Sequence, residues 1–369
     1  AQEAFASGAM LLSYQWRNLL IFGSMVASSG IVVLLSLKPV HLPAWLSIRK
    51  PGADRERLPF WQPLALLVLS IDLLLFGAAF NPAADPSWLD LTPESIEFLR
   101  DRATEGKPWR LTTFQAEGAT KTLNANIPWL HGLSDVRGYD SIITRQYSEY
   151  MTAIEAQGEL LYNRIAPIYA VENLSSSLLD LLTVRYVVTE GEIPNADMHL
   201  IYDEEVRIYE NMDVLPRAFA LARAEIVSEA QVSERLRAFD PRTTVLLDEG
   251  TLPSDFTQAS GGAWPLEPAA VVVHSPLVVF VDVDMPGPGW LVLADSFFPG
   301  WKAYRSDPTS EVPDAKAEPA GETELDIARA DGNFRAVQLE EGPHRVRFKY
   351  TPMSFKLGLY GSFMAVVVL

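Results

Sequence analysis

From Leu19 to Leu37 the chain carries only apolar and small residues (LLIFGSMVASSGIVVLLSL). About 20 apolar residues span a bilayer, so this run predicts a transmembrane helix. The competing reading is a helix buried in a soluble core. Gly23, Ser24, Ala27, Ser28, Ser29 and Gly30 within it allow close helix packing. A second run, Pro63 to Phe80, predicts another span with Asp72 near its middle. An acid at that depth is costly, so Asp72 is expected to face other helices or water. It would either bond a neighbouring helix or meet a polar substrate. A third run, Phe355 to Leu369, reads as the start of a truncated transmembrane helix.

Between the first two runs lie Lys38, Arg49, Lys50, Arg55 and Arg57, against Asp54 and Glu56. A short basic loop stays cytoplasmic. Residues 1–80 are therefore expected to be a transmembrane region, with helices at about 19–37 and 63–80 and a cytoplasmic loop at 38–62. Residues 81–353 would then be extracytoplasmic in a multi-pass protein of the bacterial cell membrane. Asn81-Pro82 would end the second helix, and Trp88 suits the interface. Residue 1 is Ala and the third apolar run reaches the last residue, so the chain is expected to be an internal or C-terminal piece of a longer polypeptide.

Beyond residue 80 the periodicity changes twice. Residues 81–250 mix helical and strand patterns. Helices are expected at Pro93–Arg102 (capped by Thr92), Ser141–Gln157, Leu178–Leu182 and Glu229–Phe239. Strands are expected at Trp109–Phe114, Val184–Thr189 and Thr243–Leu247. His199–Tyr202 and Val206–Glu210 read as a hairpin around Asp203-Glu204-Glu205. This predicts an α+β domain with a small mixed sheet. Residues 251–353 show short strands and turn signals without helices, which predicts a β-sandwich. Its strands are Ala270–Val273, Leu277–Met285, Trp290–Ser296, Lys302–Arg305, Phe334–Leu339 and His344–Tyr350. In the last of these, Val346 and Phe348 alternate with Arg345, Arg347 and Lys349, predicting a basic outer face. Ser306–Thr323 reads as an exposed insertion. The fold class expected is a multi-domain membrane protein: transmembrane helices, an α+β ectodomain and a β-sandwich ectodomain.

Composition narrows the chemistry. The formal net charge of −17 argues against nucleic acid as a partner, because counterion release needs Lys and Arg. The same acidity keeps the ectodomain from lying flat on anionic lipid. The absence of cysteine excludes disulfides, thiolate metal sites and Cys nucleophiles. None of the five histidines has another at i, i+4, so no metal site is expected and the cofactor is left open. Phosphate-binding Gly loops and the G-x-S-x-G elbow are missing from the sequence. Glu204/Glu205 and Glu340/Glu341 fall in expected turns.

The stretch Asn124–Asp140 (NANIPWLHGLSDVRGYD) concentrates amides, aromatics and charge. Asn126, Trp129, Arg137, Tyr139 and Asp140 supply the hydrogen bonds and flat apolar faces that a sugar site requires. Equally, the glycines could turn a structural loop whose aromatics plug the core. Trp301, in Pro299-Gly300-Trp301-Lys302, offers sugar stacking or a core role.

Three stretches carry a family resemblance. They are Asn124–Asp140 with Gly138-Tyr139-Asp140; LLTVRYVV at Leu181–Val188 followed by IYENMDVLPRAFA at Ile208–Ala220; and DSFFPGW at Asp295–Trp301, continued by NFRAV at Asn333–Val337 and GPHRVRFKYTP at Gly342–Pro352. In this order they resemble the C-terminal half of the bacterial YfhO-like membrane protein family, over roughly residues 81–369. The resemblance implies a many-spanning protein similar to GT-C-type glycosyltransferases, which move sugar from a polyprenyl-phosphate carrier to a cell-envelope acceptor outside the membrane. In such enzymes the catalytic acids lie in early extracytoplasmic loops, which this chain lacks, so no catalytic residue is carried over. Ser306–Thr323 expands a stretch that is compact in that family. The alternatives are a noncatalytic, membrane-tethered glycan-binding or scaffold module, and a hydrolase with carboxylates in the α+β half, Asp140 being the best candidate acid.

Overall fold

The computed structural model describes residues 7–38, 58–80, 85–87, 91–103, 108–119, 122–158, 163–253, 256, 264–308, 314 and 321–368. The chain divides into two compact units, Ala1–Leu91 and Thr92–Leu369. The charged members of the basic loop beyond Lys38, together with Asn81-Pro82 and Trp88, lie outside the described residues.

In the first unit, α1 spans Gly8–Leu37 and α2 spans Trp61–Phe80. Ser7 caps α1 by accepting a hydrogen bond from the Met10 amide. α1 begins eleven residues before the charge-free run, because nothing between Gly8 and Leu19 breaks a helix. At 1.5 Å per residue its 30 residues reach on the order of 45 Å. Among the described residues it is the one helix long and apolar enough to cross a membrane. It buries no residue, and Leu20, Phe22 and Leu34 are exposed. Ser24, Ser28 and Ser36 donate their hydroxyls to carbonyls one turn back, so they need no outside partner. Met25, Ser28, Val32 and Leu35 are half-buried at 3-4-3 spacing, the seam expected where α1 meets α2. Of the small residues expected at a packing face, only Ser28 lies on this seam. Asp72 is exposed midway along α2.

The second unit opens with α3 (Glu94–Ala103) and β1 (Arg110–Thr113), then α4 (Ile127–Leu130), α5 (Arg145–Ile154) and α6 (Ser177–Leu181). β2 (Val184–Thr189), β3 (Met198–Asp203) and β4 (Arg207–Asn211) follow. A four-stranded sheet orders these as β1-β2-β4-β3, parallel between β1 and β2 and antiparallel elsewhere. One face buries Leu111, Tyr186, Val188 and Ile208 against Ile96 and Leu99 of α3. The small mixed sheet and the hairpin follow the sequence pattern closely.

The rest of the chain supplies β5 (Ala218–Leu221), β6 (Ala224–Val227), α7 (Glu229–Leu236), β7 (Val245–Asp248), β8 (Glu267–His274), β9 (Val278–Met285) and β10 (Gly289–Ser296). After these come β11 (Trp301–Ser306), β12 (Thr323–Leu325), β13 (Ala328–Ala330), β14 (Phe334–Leu339), β15 (Gly342–Tyr350) and α8 (Met353–Val368). The strands form one mixed sheet, ordered β12-β11-β15-β9-β8-β5-β10-β14-β13-β7-β6. The sheet curls over at β8. Val279, Val281, Val346 and Phe348 from one arm then meet Ala218, Ala220, Leu291 and Val337 from the other in a single sandwich-like core. β9 and β10 are consecutive but unpaired, so the Pro286–Gly289 turn carries the chain from one arm to the other.

Two expectations need correcting. A division at 250/251 falls inside this unit, because β5 and β7 join the sheet built by β8–β15. The reverse face of that arm (Phe219, Trp290, Val292, Phe334) shares a core with Phe114, Val184, Val187 and Tyr209 of the small sheet, through Tyr150 and Met151 of α5. Nor is the Arg345/Arg347 face of β15 an open basic surface. Both arginines are buried, Arg345 forked onto Asp282 and Arg347 paired with Glu322. Alternation marks two faces but cannot tell a solvated face from one covered by paired charges.

Asp331 sits at the β13–β14 turn with φ 47°, accepts the Leu246 amide at 2.8 Å and is fully buried. Burial pushes its carboxyl up from 3.8 to about 7, the Leu246 hydrogen bond opposing. With the folded pKa above the unfolded one, the unfolded chain loses this proton first. Stability is then expected to fall as pH rises from about 4 to about 7 and to stay lower above that. Asn suits the left-handed backbone and retains an acceptor for Leu246. Asp331→Asn is expected to match the wild type near pH 4 and to be more stable by a few kcal/mol near pH 8, since each tenfold change in proton affinity corresponds to ~1.4 kcal/mol. Melting temperatures recorded across this range check it; parallel profiles would refute the assignment.

Candidate functional site

β1 has β2 on one side only. Its other edge is covered by irregular backbone. Leu111 donates to Ser134 O at 2.9 Å and Val136 donates to Leu111 O at 3.0 Å. Further along, Ile168 donates to Thr113 O and Gln115 donates to Ile168 O, both at 2.9 Å. The loops 122–140 and 163–168 are thereby stitched to the end of β1. Tyr147 of α5 donates its hydroxyl to the Val136 carbonyl, tying the first loop to the core.

These loops enclose an open cleft of about 880 Å³. Thr113, Phe114 and Gln115 line it at the end of β1, and Ile165 and Pro167, α4 and the 137–140 segment line it from the loops. The volume falls within the ~300–1,000 Å³ typical of small-molecule sites. Five of the six candidate residues, Asn126, Trp129, Arg137, Tyr139 and Asp140, line this one cleft.

Their roles differ. Pro128 is buried in the first turn of α4, and that turn swings Trp129 outward, leaving it 79% exposed. Tyr139 is 59% exposed. Asn126 pairs with the Tyr139 backbone in both directions, donating to its carbonyl at 2.7 Å and accepting its amide at 3.1 Å. The side-chain amide of Asn126 is thus committed to holding Tyr139 in place. Arg137 is buried and equally committed. It forks onto Asp135 (3.1 and 2.7 Å) and donates to Thr113 Oγ1 at 2.6 Å and to Leu123 O at 3.1 Å. Burial pushes the Asp135 carboxyl up, against the pull of Arg137. Arg137 therefore braces the loop and has few donors left for a ligand. Asp140 is exposed, accepts the Ser141 amide at 2.6 Å, and is the one carboxylate among the described residues of the lining.

Residues not anticipated from sequence also join the lining, Arg164 and Gln115 among them. Arg164 pairs its backbone with Tyr139 and is half-buried. Gln115 donates to Ala119 O at 3.1 Å, which leaves its side-chain carbonyl as an acceptor. Both lie outside the Asn124–Asp140 stretch: Gln115 follows β1, and Arg164 is brought in by backbone pairing of 163–165 with 138–140.

Trp301 lies elsewhere. Its ring rests on the Arg335 guanidinium at 3.8 Å and beside Tyr350 at 5.3 Å, and it lines a second cavity. Gly300 fixes it there. With φ 110° it approaches Pro352 so closely that a Cβ would sit 2.9 Å from Pro352 Cα. Trp301 therefore does not share the cleft with the other five residues.

No family model, curated protein or solved structure matches the chain.

Replacing Asn126 with Ala removes both bonds to the Tyr139 backbone. A net loss of roughly 1–2 kcal/mol is expected, along with faster hydrogen exchange at the Tyr139 amide. Urea melts and exchange measured by NMR check this; unchanged protection at Tyr139 would show that other contacts hold the loop.

Proposed function

We propose that this chain is the glycan-engaging, membrane-tethered portion of a bacterial cell-envelope protein similar to GT-C glycosyltransferases, and that the cleft beside β1 seats the glycan. The reading rests on one observation: two aromatic faces, Trp129 and Tyr139, stand exposed on the wall of a cleft that also offers Gln115, Asp140 and Arg164. Sugar rings present C–H faces that pack on aromatic side chains, while their hydroxyls need acceptors and donors at the rim. The bracing of Asn126 and Arg137 keeps the platform rigid, so little ordering is needed on binding.

A second reading, a noncatalytic glycan-binding or scaffold module, is favoured by the carboxylate count. Paired-carboxylate hydrolysis needs two acids flanking the bond, and Asp140 stands alone in the described lining. On the transferase reading the polyprenyl-phosphate sugar is a second partner and its chemistry lies outside this chain. Both readings place α1, α2 and α8 in the bilayer as spans of a multi-pass bacterial membrane protein, with residues 81–353 extracytoplasmic. The exposed apolar surface of α1 supports membrane association.

Two measurements test this. In the first, the whole chain in nanodiscs is titrated with cell-wall oligosaccharides. Trp129→Ala is expected to weaken binding by up to about tenfold without lowering the melting temperature. An unaltered affinity removes the cleft from consideration. Binding that does not respond to added polyprenyl-phosphate sugar favours the module over the transferase. The second uses the natural absence of cysteine. Glu234→Cys is expected to react with an impermeant maleimide on intact cells, and Arg55→Cys only after lysis. The reverse pattern would invert the proposed orientation.

A further inference from the structure

The second cavity, about 520 Å³, opens beside Trp301 and is lined by Thr144, Arg217, Leu277, Asp295, Phe298, Arg335 and Tyr350, among others. Its charge is unbalanced. Asp295 Oδ1 accepts from Arg110 Nη2 at 2.5 Å and from Arg217 Nη2 at 2.7 Å and Nε at 3.0 Å. Arg335 Nη2 lies 3.2 Å from Asp295 Oδ2. Three guanidiniums thus converge on one carboxylate, and no second carboxylate lies in the described lining. Arg110 is spent, because its Nη1 serves the Leu182 and Ala294 carbonyls at 2.9 Å each. Arg335 is not. It is 2% exposed, yet its Nη1 has no hydrogen-bond partner among the described residues.

A buried guanidinium donor left unpaired is costly, and an uncompensated buried charge more so. Trp301 offers the cation only its π face, on one side. We infer that this cavity is a binding site for a phosphate-class oxyanion, held by Arg335 and Arg217. Among the described residues three guanidiniums meet one carboxylate, Asp295, an excess of positive charge that suits a phosphate-class anion, and the guanidinium fork matches phosphate oxygens. The space exceeds what a bare ion fills, and Leu277, Phe298 and Tyr350 add an apolar wall, so the ligand carries an organic portion. Burial pulls the Arg335 pKa down to about 10 and that of Arg217 below its usual value, a cost that a bound anion would relieve. The cavity lies where β15 ends, at Tyr350, three residues before the apolar α8 begins. A lipid headgroup and a free phosphate ester are both compatible with that placement. The inference stands on charge and burial and is independent of the glycan cleft.

The test is calorimetric titration of the full chain, in detergent micelles, with inorganic phosphate and with monomeric dihexanoyl phosphatidic acid. Saturable binding of both, weakening with salt, is expected. Markedly tighter binding of the lipid identifies a headgroup as the source, and equal affinity identifies a soluble phosphate. Arg335→Lys is expected to weaken binding about tenfold or more. Leu277 is 56% exposed at the mouth, so Leu277→Glu leaves the arginines and the fold intact and is expected to weaken binding comparably by repulsion. Arg235→Gln, in an exposed pair with Glu225, is expected to change nothing. The absence of saturable binding up to millimolar concentration would overturn the proposal. So would wild-type affinity in Leu277→Glu, even if Arg335→Lys fails to fold.

Discussion

One carboxylate, Asp295, joins strands that are otherwise far apart in the chain. Arg110 reaches it from β1 of the small sheet, Arg217 from the residue before β5, and Arg335 from β14. The shared core behind it can form only if these strands arrive together, because Phe114, just after β1, and Phe219, Trp290 and Phe334 on the large sheet fill the same space. The β10–β14 register shifts between Leu293 and Ser296, where Asp295 sits. Such an irregularity re-aims a side chain that regular pleating would send to the opposite face. A hydrophobic contact in this place would tolerate sliding. A buried fork of charge does not, since any displacement leaves a guanidinium unpaired in a low-dielectric setting.

The same constraint explains why the domain boundary was hidden. β5 is Ala-Phe-Ala-Leu, buried at all four positions. A strand covered on both faces shows no alternation, so its membership of the large sheet cannot be read from residues 218–221. β15 was legible because Val346 and Phe348 alternate with Arg345, Arg347 and Lys349. What was illegible in β15 was the far side of its charges. Arg345 opposes Asp282 in the ladder, and that pairing depends on register with β9, some sixty residues earlier. Similarly, five candidate residues of the cleft came together because they belong to one loop. Trp301 was left open between sugar stacking and a core role, because an aromatic residue signals that a flat face is wanted without saying by which partner; in the fold its face meets Arg335.

The two cavities achieve opposite ends with the same residue types. In the cleft, the buried arginine is satisfied: Arg137 has Asp135, Thr113 and Leu123, and its function is to fix a loop. What remains outward there is the aromatic surface of Trp129 and Tyr139 beside one carboxylate, Asp140, and one guanidinium, Arg164, suited to a hydroxyl-rich ligand with no large net charge. In the Trp301 cavity, the aromatic is spent on an arginine and what remains inward is charge. A polar network completed within the chain gives rigidity, and one left incomplete gives affinity for whatever completes it.

This distinction bears on stability. An arginine surplus inside a folded chain opposes folding, since each cation lost part of its hydration on burial and, among the described residues, shares Asp295 as its counter-charge. The fold tolerates it because Trp301 and Phe348 flank Arg335 and because Asp295 is shared efficiently among forked donors. A chain selected for stability alone would fill this position with an apolar side chain of similar volume, which is often neutral or stabilising. At the proposed anion site a bound ligand would supply the negative charge that, among the described residues, Asp295 alone provides. Binding of that ligand would stabilise the junction of the two sheets along with the cavity itself.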